Sequence, residues 1–199
     1  MTFTEIVQEV VARGYDYVAP DRIERWVQQH HQAIEGKYVW PWGEETKEGK
    51  APLEIKDLRD ILSVTDSTQE RPLWGTQRQW LLENYPKLEE QGNPVWWFLD
   101  NITLRLFPLS SSDNIVVRYV KKPAELTAEA EPAMPAEWHG LIVDFAVVDC
   151  LKDNDEYQEA RELKEAVRAD LQEMVSAELQ RDLQAPPLIV RTGYYGDYL

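Results

Sequence analysis

The sequence predicts an α+β fold: an antiparallel helical bundle with an inserted small antiparallel β-sheet and an extended C-terminal arm. Three observations lead to it. Apolar residues recur at helical spacing near both ends of the chain, while its middle alternates β-formers with polar residues between turn signals. A double proline, Pro186-Pro187, then cuts off a short aromatic tail. The expected division is residues 1–36 for the N-terminal helix pair of the bundle and 37–123 for a loop and β-rich insertion. Residues 124–183 would form the C-terminal helix hairpin, and 184–199 the arm.

The elements follow in order. Thr2-Phe-Thr-Glu5 has capping-box spacing, and Phe3, Ile6, Val7, Val10 and Val11 then share one helical face, with Gly14 as the stop. Pro20 opens a second helix with Asp21 and Glu24 in its first turn; Ile23, Trp26, Val27 and Ile34 make its apolar stripe. Two helices with a turn between them could read DNA, but Arg22 and Arg25 are outweighed by Asp21, Glu24 and Glu35. Trp40 to Pro52, rich in Gly, Pro and charge, reads as a linker or exposed loop. Its tryptophans, Trp40 and Trp42, either cover a core edge or touch a neighbouring subunit.

Leu58–Val64 reads as a strand, 66–72 as a turn, and Gln77–Tyr85 as a short helix. Val95–Leu99 and Ile102–Leu106 read as strands joined tightly at Asp100-Asn101, and Ile115–Val120 as the next one. In the second of these, Ile102, Leu104 and Leu106 alternate with Thr103 and Arg105, so one face is buried. The sheet is expected to be a meander of three or four strands. The helix from Ala136 to Leu151 is apolar nearly all round, which requires cover on several sides. Lys152-Asp-Asn-Asp155 breaks it. An amphipathic helix from Asp155 to Leu183 follows, with Tyr157, Ala160, Leu163, Val167, Leu171 and Met174 on its stripe, and the two fold into an antiparallel hairpin.

Composition narrows the function. At 199 residues, 43% hydrophobic and 29% charged, the chain is an ordinary globular one. No apolar run approaches the roughly 20 residues of a membrane helix, and the N-terminus lacks the pattern of a signal peptide, so synthesis in a cytoplasm is expected. The net charge of −15 argues against gripping phosphates. It suits a wall past which DNA moves equally with simple solubility. Cys150 sits on the apolar helix and reads as a small buried hydrophobe rather than a reactive thiol.

No pattern for chemistry emerges. Glycines are scattered, so no phosphate loop forms, and no serine nucleophile motif is present. His30 and His31 are adjacent on a helix and point to different faces, so they cannot chelate one metal as an i, i+4 pair would. His139 reads as solvated or capping. A carboxylate pair for hydrolysis has no second signal behind it. The expectation is therefore no enzyme, no cofactor and no metal. Eight tryptophans and nine tyrosines favour binding surfaces, and tryptophans near carboxylates make a carbohydrate- or protein-binding module the main alternative. The tail Leu188, Ile189, Val190, Arg191, Tyr194, Tyr195, Tyr198 and Leu199 is apolar and aromatic, which suits docking on a partner, with strand addition to its sheet as one way.

The run from Pro94 to Met174 resembles the head-to-tail adaptor (connector) proteins of long-tailed double-stranded DNA bacteriophages and gene transfer agents. The resemblance rests on Gly92-Asn-Pro94 followed by Trp96-Trp97, a strand ending near Pro108, and Val116-Val-Arg-Tyr-Val120 leading into Lys122-Pro123 and Leu126-Thr127. Met134-Pro135 and Trp138-His139 then open the apolar helix, and Leu62-Ser-Val64 with Arg71-Pro72-Leu73 also fits. The pattern is diffuse, covers part of the chain, and leaves the Trp40–Pro52 loop unmatched. It implies a virion neck protein that assembles with itself as a ring, expected to be dodecameric, beneath the portal protein. The ring would extend the channel through which DNA passes without specific binding, and would present a surface to the next connector, stopper or tail protein. The tail residues above would be the portal-binding arm. Trp40, Trp42, Val143 and Val147 would be subunit–subunit contacts.

Overall fold

A computed structural model of the chain describes residues 1–85, 87–109 and 114–183. It divides into two compact units: Met1–Val27 with the chain from Pro135 onward, and Gln28–Met134.

The first unit is helical. α1 (Phe3–Val10) opens on the expected capping box: Glu5 N donates to Thr2 Oγ1 at 3.2 Å and Thr2 N to Glu5 Oε2 at 2.9 Å. Ile6 and Val10 are buried. A π-helical turn, Val11–Tyr15, carries the chain to Gly14, whose φ of 101° ends the helical path where a side chain would be strained. α2 (Pro20–Lys37) begins in this unit and runs into the second. A short 3-10 turn, Ala136–Trp138, leads into α4 (His139–Asp153), and α5 (Tyr157–Leu183) follows after a turn in which Asp155 takes φ 61°.

α4 packs on α5 and on α1, which is why its apolar positions surround it. Leu141, Ile142, Val143, Ala146, Val147, Val148, Cys150 and Leu151 are all buried. Ala160, Val167 and Met174 are the buried positions of the α5 stripe. Two ion pairs tie α4 to the N-terminal segment: Arg13 to Asp144, and a two-pronged contact in which Arg22 Nη1 donates to Asp153 Oδ2 at 2.7 Å and Nη2 to Oδ1 at 2.5 Å. His139 is not solvated, while its backbone N–H caps the preceding 3-10 turn by donating to Ala136 O. It is 1% exposed, and its Nδ1 lies 2.8 Å from the Met1 amine.

The second unit overturns the expected fold class. It is not a small sheet inserted in a helical bundle, because seven strands form a mixed, nearly closed, barrel-like sheet. β1 (Glu44–Lys50), β2 (Leu53–Glu54), β3 (Leu58–Asp66), β4 (Arg71–Gly75), β5 (Trp96–Asp100), β6 (Thr103–Phe107) and β7 (Asn114–Lys121) lie in the order β1-β7-β3-β4-β5-β6-β2. All the strand pairings are antiparallel except β4 with β5, and the register of β3 against β7 shifts twice, near Arg59 and near Leu62. The two ends of the order approach through the β1–β2 turn, where Lys47 Nζ donates to Glu54 O at 2.8 Å.

β1 is the strand that the sequence hides. Glu-Glu-Thr-Lys-Glu-Gly-Lys has a single β-former, Thr46, and no apolar alternation, which is why the segment reads as a loop. It becomes a strand by pairing with β7 along its whole length, from Glu44↔Val120 to Lys50↔Asn114. The core of the sheet holds Ile55, Leu58, Val64, Leu73, Leu104, Leu106, Ile115, Val117 and Tyr119. The alternation expected on β6 delivers Leu104 and Leu106 to one face, and β7 adds Ile115, Val117 and Tyr119 by the same period. On the opposite face Phe98 and Phe107 pack under Leu81 of α3 (Arg78–Asn84).

Candidate functional site

Two features of the second unit offer a surface to something else: a pocket beside Trp42 and an exposed group of tryptophans around α3.

The pocket is built from the end of α2. Helix ends leave carbonyls without partners, and here two side chains supply donors. Arg59 of β3 donates from Nη1 to Glu35 O (2.9 Å) and Gly36 O (3.2 Å), and from Nη2 to Tyr38 O (2.8 Å). Trp40 Nε1 donates to Ile34 O at 2.9 Å. The 3-10 turn Pro41–Gly43 then lays Trp42 on Trp40, rings 4.7 Å apart and 11° from parallel, while Tyr38 meets Trp40 edge-on. Trp40 is 2% exposed and so covers a core edge, whereas Trp42 is half-buried.

Across from this turn, residues 122–133 follow β7. Gln28 and Glu35, on one face of α2, hold the segment by its backbone: Leu126 N donates to Gln28 Oε1 at 3.0 Å and Met134 N to Glu35 Oε1 at 3.2 Å. Between them lies a cavity of about 400 Å³, with His31, Glu35, Trp42, Asp57, Lys121 and Lys122 among its walls. Tyr119 sits beside it, with its hydroxyl 3.2 Å from both Glu45 Oε2 and Asp57 Oδ1. Burial first, and then the two carboxylates, push the phenol pKa well above its ordinary value.

The second feature is the outer side of β4 and β5. Leu73 points into the core, so strand alternation turns Trp74 outward, where it is 56% exposed. Its register partner is Trp96, and Trp80 of α3 stands 5.3 Å from Trp96. Trp80 is 40% exposed, and Leu82, Val95 and Leu99 are also exposed large apolar residues. The sequence reading singled out Trp96 and missed Trp74 and Trp80. The signal was present in the Leu73–Trp74 alternation, but it required knowing that residues 71–75 form a strand.

The other expected residues fall as follows. Val143 and Val147 are 0% and 5% exposed, buried in the chain itself. The arm residues Leu188, Ile189, Val190, Arg191, Tyr194, Tyr195, Tyr198 and Leu199 lie outside the described residues. Cys150 is fully buried, and burial pushes its thiol up to about 11. Among the described residues no group of three or more His, Cys, Asp or Glu could hold a metal ion, and no helix is long and apolar enough to cross a membrane.

The pocket and the tryptophan face are surfaces of the kind that a binding protein presents. The family model of the SU10 adaptor protein matches residues 1–191, and the chain belongs to that family. It is thus a phage adaptor, a structural virion protein of a class that is not enzymatic. No curated protein matches it.

Proposed function

We propose that this chain is the head-to-tail adaptor that forms a ring under the portal, extends the DNA channel and joins capsid to tail. The observation that carries the reading is the family match across residues 1–191. Three features of the chain support it. The net charge of −15 suits a channel wall that does not hold phosphate. The exposed Trp74 and Trp80 form the kind of apolar surface that marks protein contact. The tail after Pro187 carries β-formers and three tyrosines, the composition of a docking segment. In this reading the ring is dodecameric, residues 188–199 reach onto the portal, and the next connector or tail protein binds the opposite side.

The test is electron microscopy of the protein mixed with its portal. The intact chain should give rings on portals. A chain ending at Pro187 should keep its fold by circular dichroism and fail to join the portal, and normal attachment of that truncation would remove the arm from the proposal.

A second reading, a carbohydrate- or protein-binding module of the tail or host-contact apparatus, is favoured by one observation: Trp74 offers an exposed indole on β4. Glycan-array binding lost on Trp74→Ala would support it. Trp40, at 2% exposure, offers no such platform.

A further inference from the structure

The pocket beside Trp42 is unusual in which of its polar atoms are satisfied. Trp40 Nε1, Glu35 and Asp57 all have hydrogen-bond partners within the chain. Trp42 Nε1 and both ring nitrogens of His31 are buried with none. His31 is 1% exposed, and although its Nε2 lies 3.2 Å from Glu35 Oε2, the contact does not have the alignment of a hydrogen bond. Buried polar atoms are nearly always paired, with protein or with water, so unpaired ones at a cavity wall mark where a group from outside the chain completes the bond.

The chemistry of that group can be read from what is missing. An indole N–H only donates, so the entering group must accept. With Nε2 set against the Glu35 carboxylate, Nδ1 is the ring nitrogen left to an entering group, and it accepts when the ring carries a single proton, on Nε2. The charges of the wall do not call for an anion: Lys121 and Lys122 stand against Glu35, Asp57 and Glu131, and Lys121 is already 3.4 Å from Glu45. The group is therefore uncharged, and it both gives and takes a hydrogen bond. A flat apolar body suits a wall that begins with two stacked indoles. A phenol meets all of these conditions, because its hydroxyl accepts from Trp42 and exchanges a hydrogen bond with His31. A carboxylate cannot donate, and a purely apolar ring satisfies neither atom. At about 400 Å³ the cavity has the volume for one such side chain.

We propose that the pocket lined by His31 and Trp42 receives a tyrosine side chain presented by a partner protein. Only the source of the tyrosine rests on the joining role proposed above; the pocket chemistry stands by itself.

The test uses the intact ¹⁵N-labelled chain and two small probes, N-acetyl-tyrosinamide and N-acetyl-phenylalaninamide, followed by NMR. Trp42→Phe assigns the indole signal by removing it. The expected result is a saturable shift of the Trp42 indole signal with the tyrosine probe, with half-saturation at least about tenfold lower than for the phenylalanine probe. In Trp42→Phe, which keeps a ring but lacks the donor, the backbone signals of Lys121 and Lys122 should still respond, with the difference between the probes reduced severalfold. Equal binding of the two probes, or no movement of the Trp42 signal at tens of millimolar probe, overturns the proposal. Because the free chain is titrated, neither result depends on whether rings form on portals.

Discussion

Gly75 and Gly49 show how one missing side chain can mean different things. A Cβ on Gly75 would lie 2.6 Å from Trp97 Cζ2, in the flat of a ring that packs against the sheet core. A Cβ on Gly49 would lie 2.8 Å from Leu53 Cδ1, the free end of a flexible side chain. Gly75→Ala should therefore cost about 1–3 kcal/mol, the range for overpacking a core, while Gly49→Ala should cost well under half of that. Urea unfolding of the two variants compares them directly. Arg59 is the opposite case, a long side chain whose guanidinium serves three carbonyls at the end of α2. Arg59→Ala leaves those groups without a protein donor, and a loss of about 2 kcal/mol is expected. Arg59→Lys should not restore it, because an ammonium lacks the planar fork. The same denaturation assay reads both variants.

At the scale of elements, β7 does most to hold the second unit together. It pairs β1 on one side and β3 on the other, and it sends Tyr119 inward towards Glu45 and Asp57. Tyr119 gives this arrangement a pH dependence whose sign follows from its raised pKa. The folded state keeps the phenol proton to higher pH than the unfolded chain does. The stability it contributes is therefore fully present below the ordinary tyrosine value of about 10 and is lost as pH rises above it. Urea midpoints measured between pH 8 and pH 11 should fall at the alkaline end, and Tyr119→Phe should flatten that fall. An unchanged alkaline slope in the variant would show that other groups govern it. α4 makes a contrasting element. It needs no single partner, because its apolar residues go all round and α1 and α5 supply the cover. That property was expected from Leu141 to Leu151 alone, as was the Thr2–Glu5 cap of α1.

For the whole molecule, the legible and the hidden parts divide along a physical line. The helices follow from local chemistry: a cap, a proline at the first turn, a 3.6-residue apolar period, and a glycine at φ 101° where the path ends. The hairpin of β5 and β6 is equally local, since Asn101 takes φ 59° in the tight turn between Asp100 and Thr103. The barrel-like sheet was not legible, because β1 is made by its neighbour rather than by its own residues, and the parallel pairing of β4 with β5 joins segments that no turn connects. The pocket was not legible either. Nothing in the chain order sets His31 and Trp42 beside Lys121 and the loop at Leu126. The prediction that belongs to this scale is the truncation at Pro187: a folded chain that no longer joins the portal, visible by electron microscopy.

By itself the sequence determined the helices, the alternating strand β6, the strand β7, and the likeness to phage adaptors. All of these are set by residues close in the chain or by composition. Only the tertiary structure decided that seven strands nearly close on themselves, that Trp40 is buried while Trp74 is exposed, and that His31 and Trp42 share a cavity. Those outcomes depend on long-range strand pairing and side-chain packing, whose hydrogen bonds and contacts join residues that local spacing cannot relate.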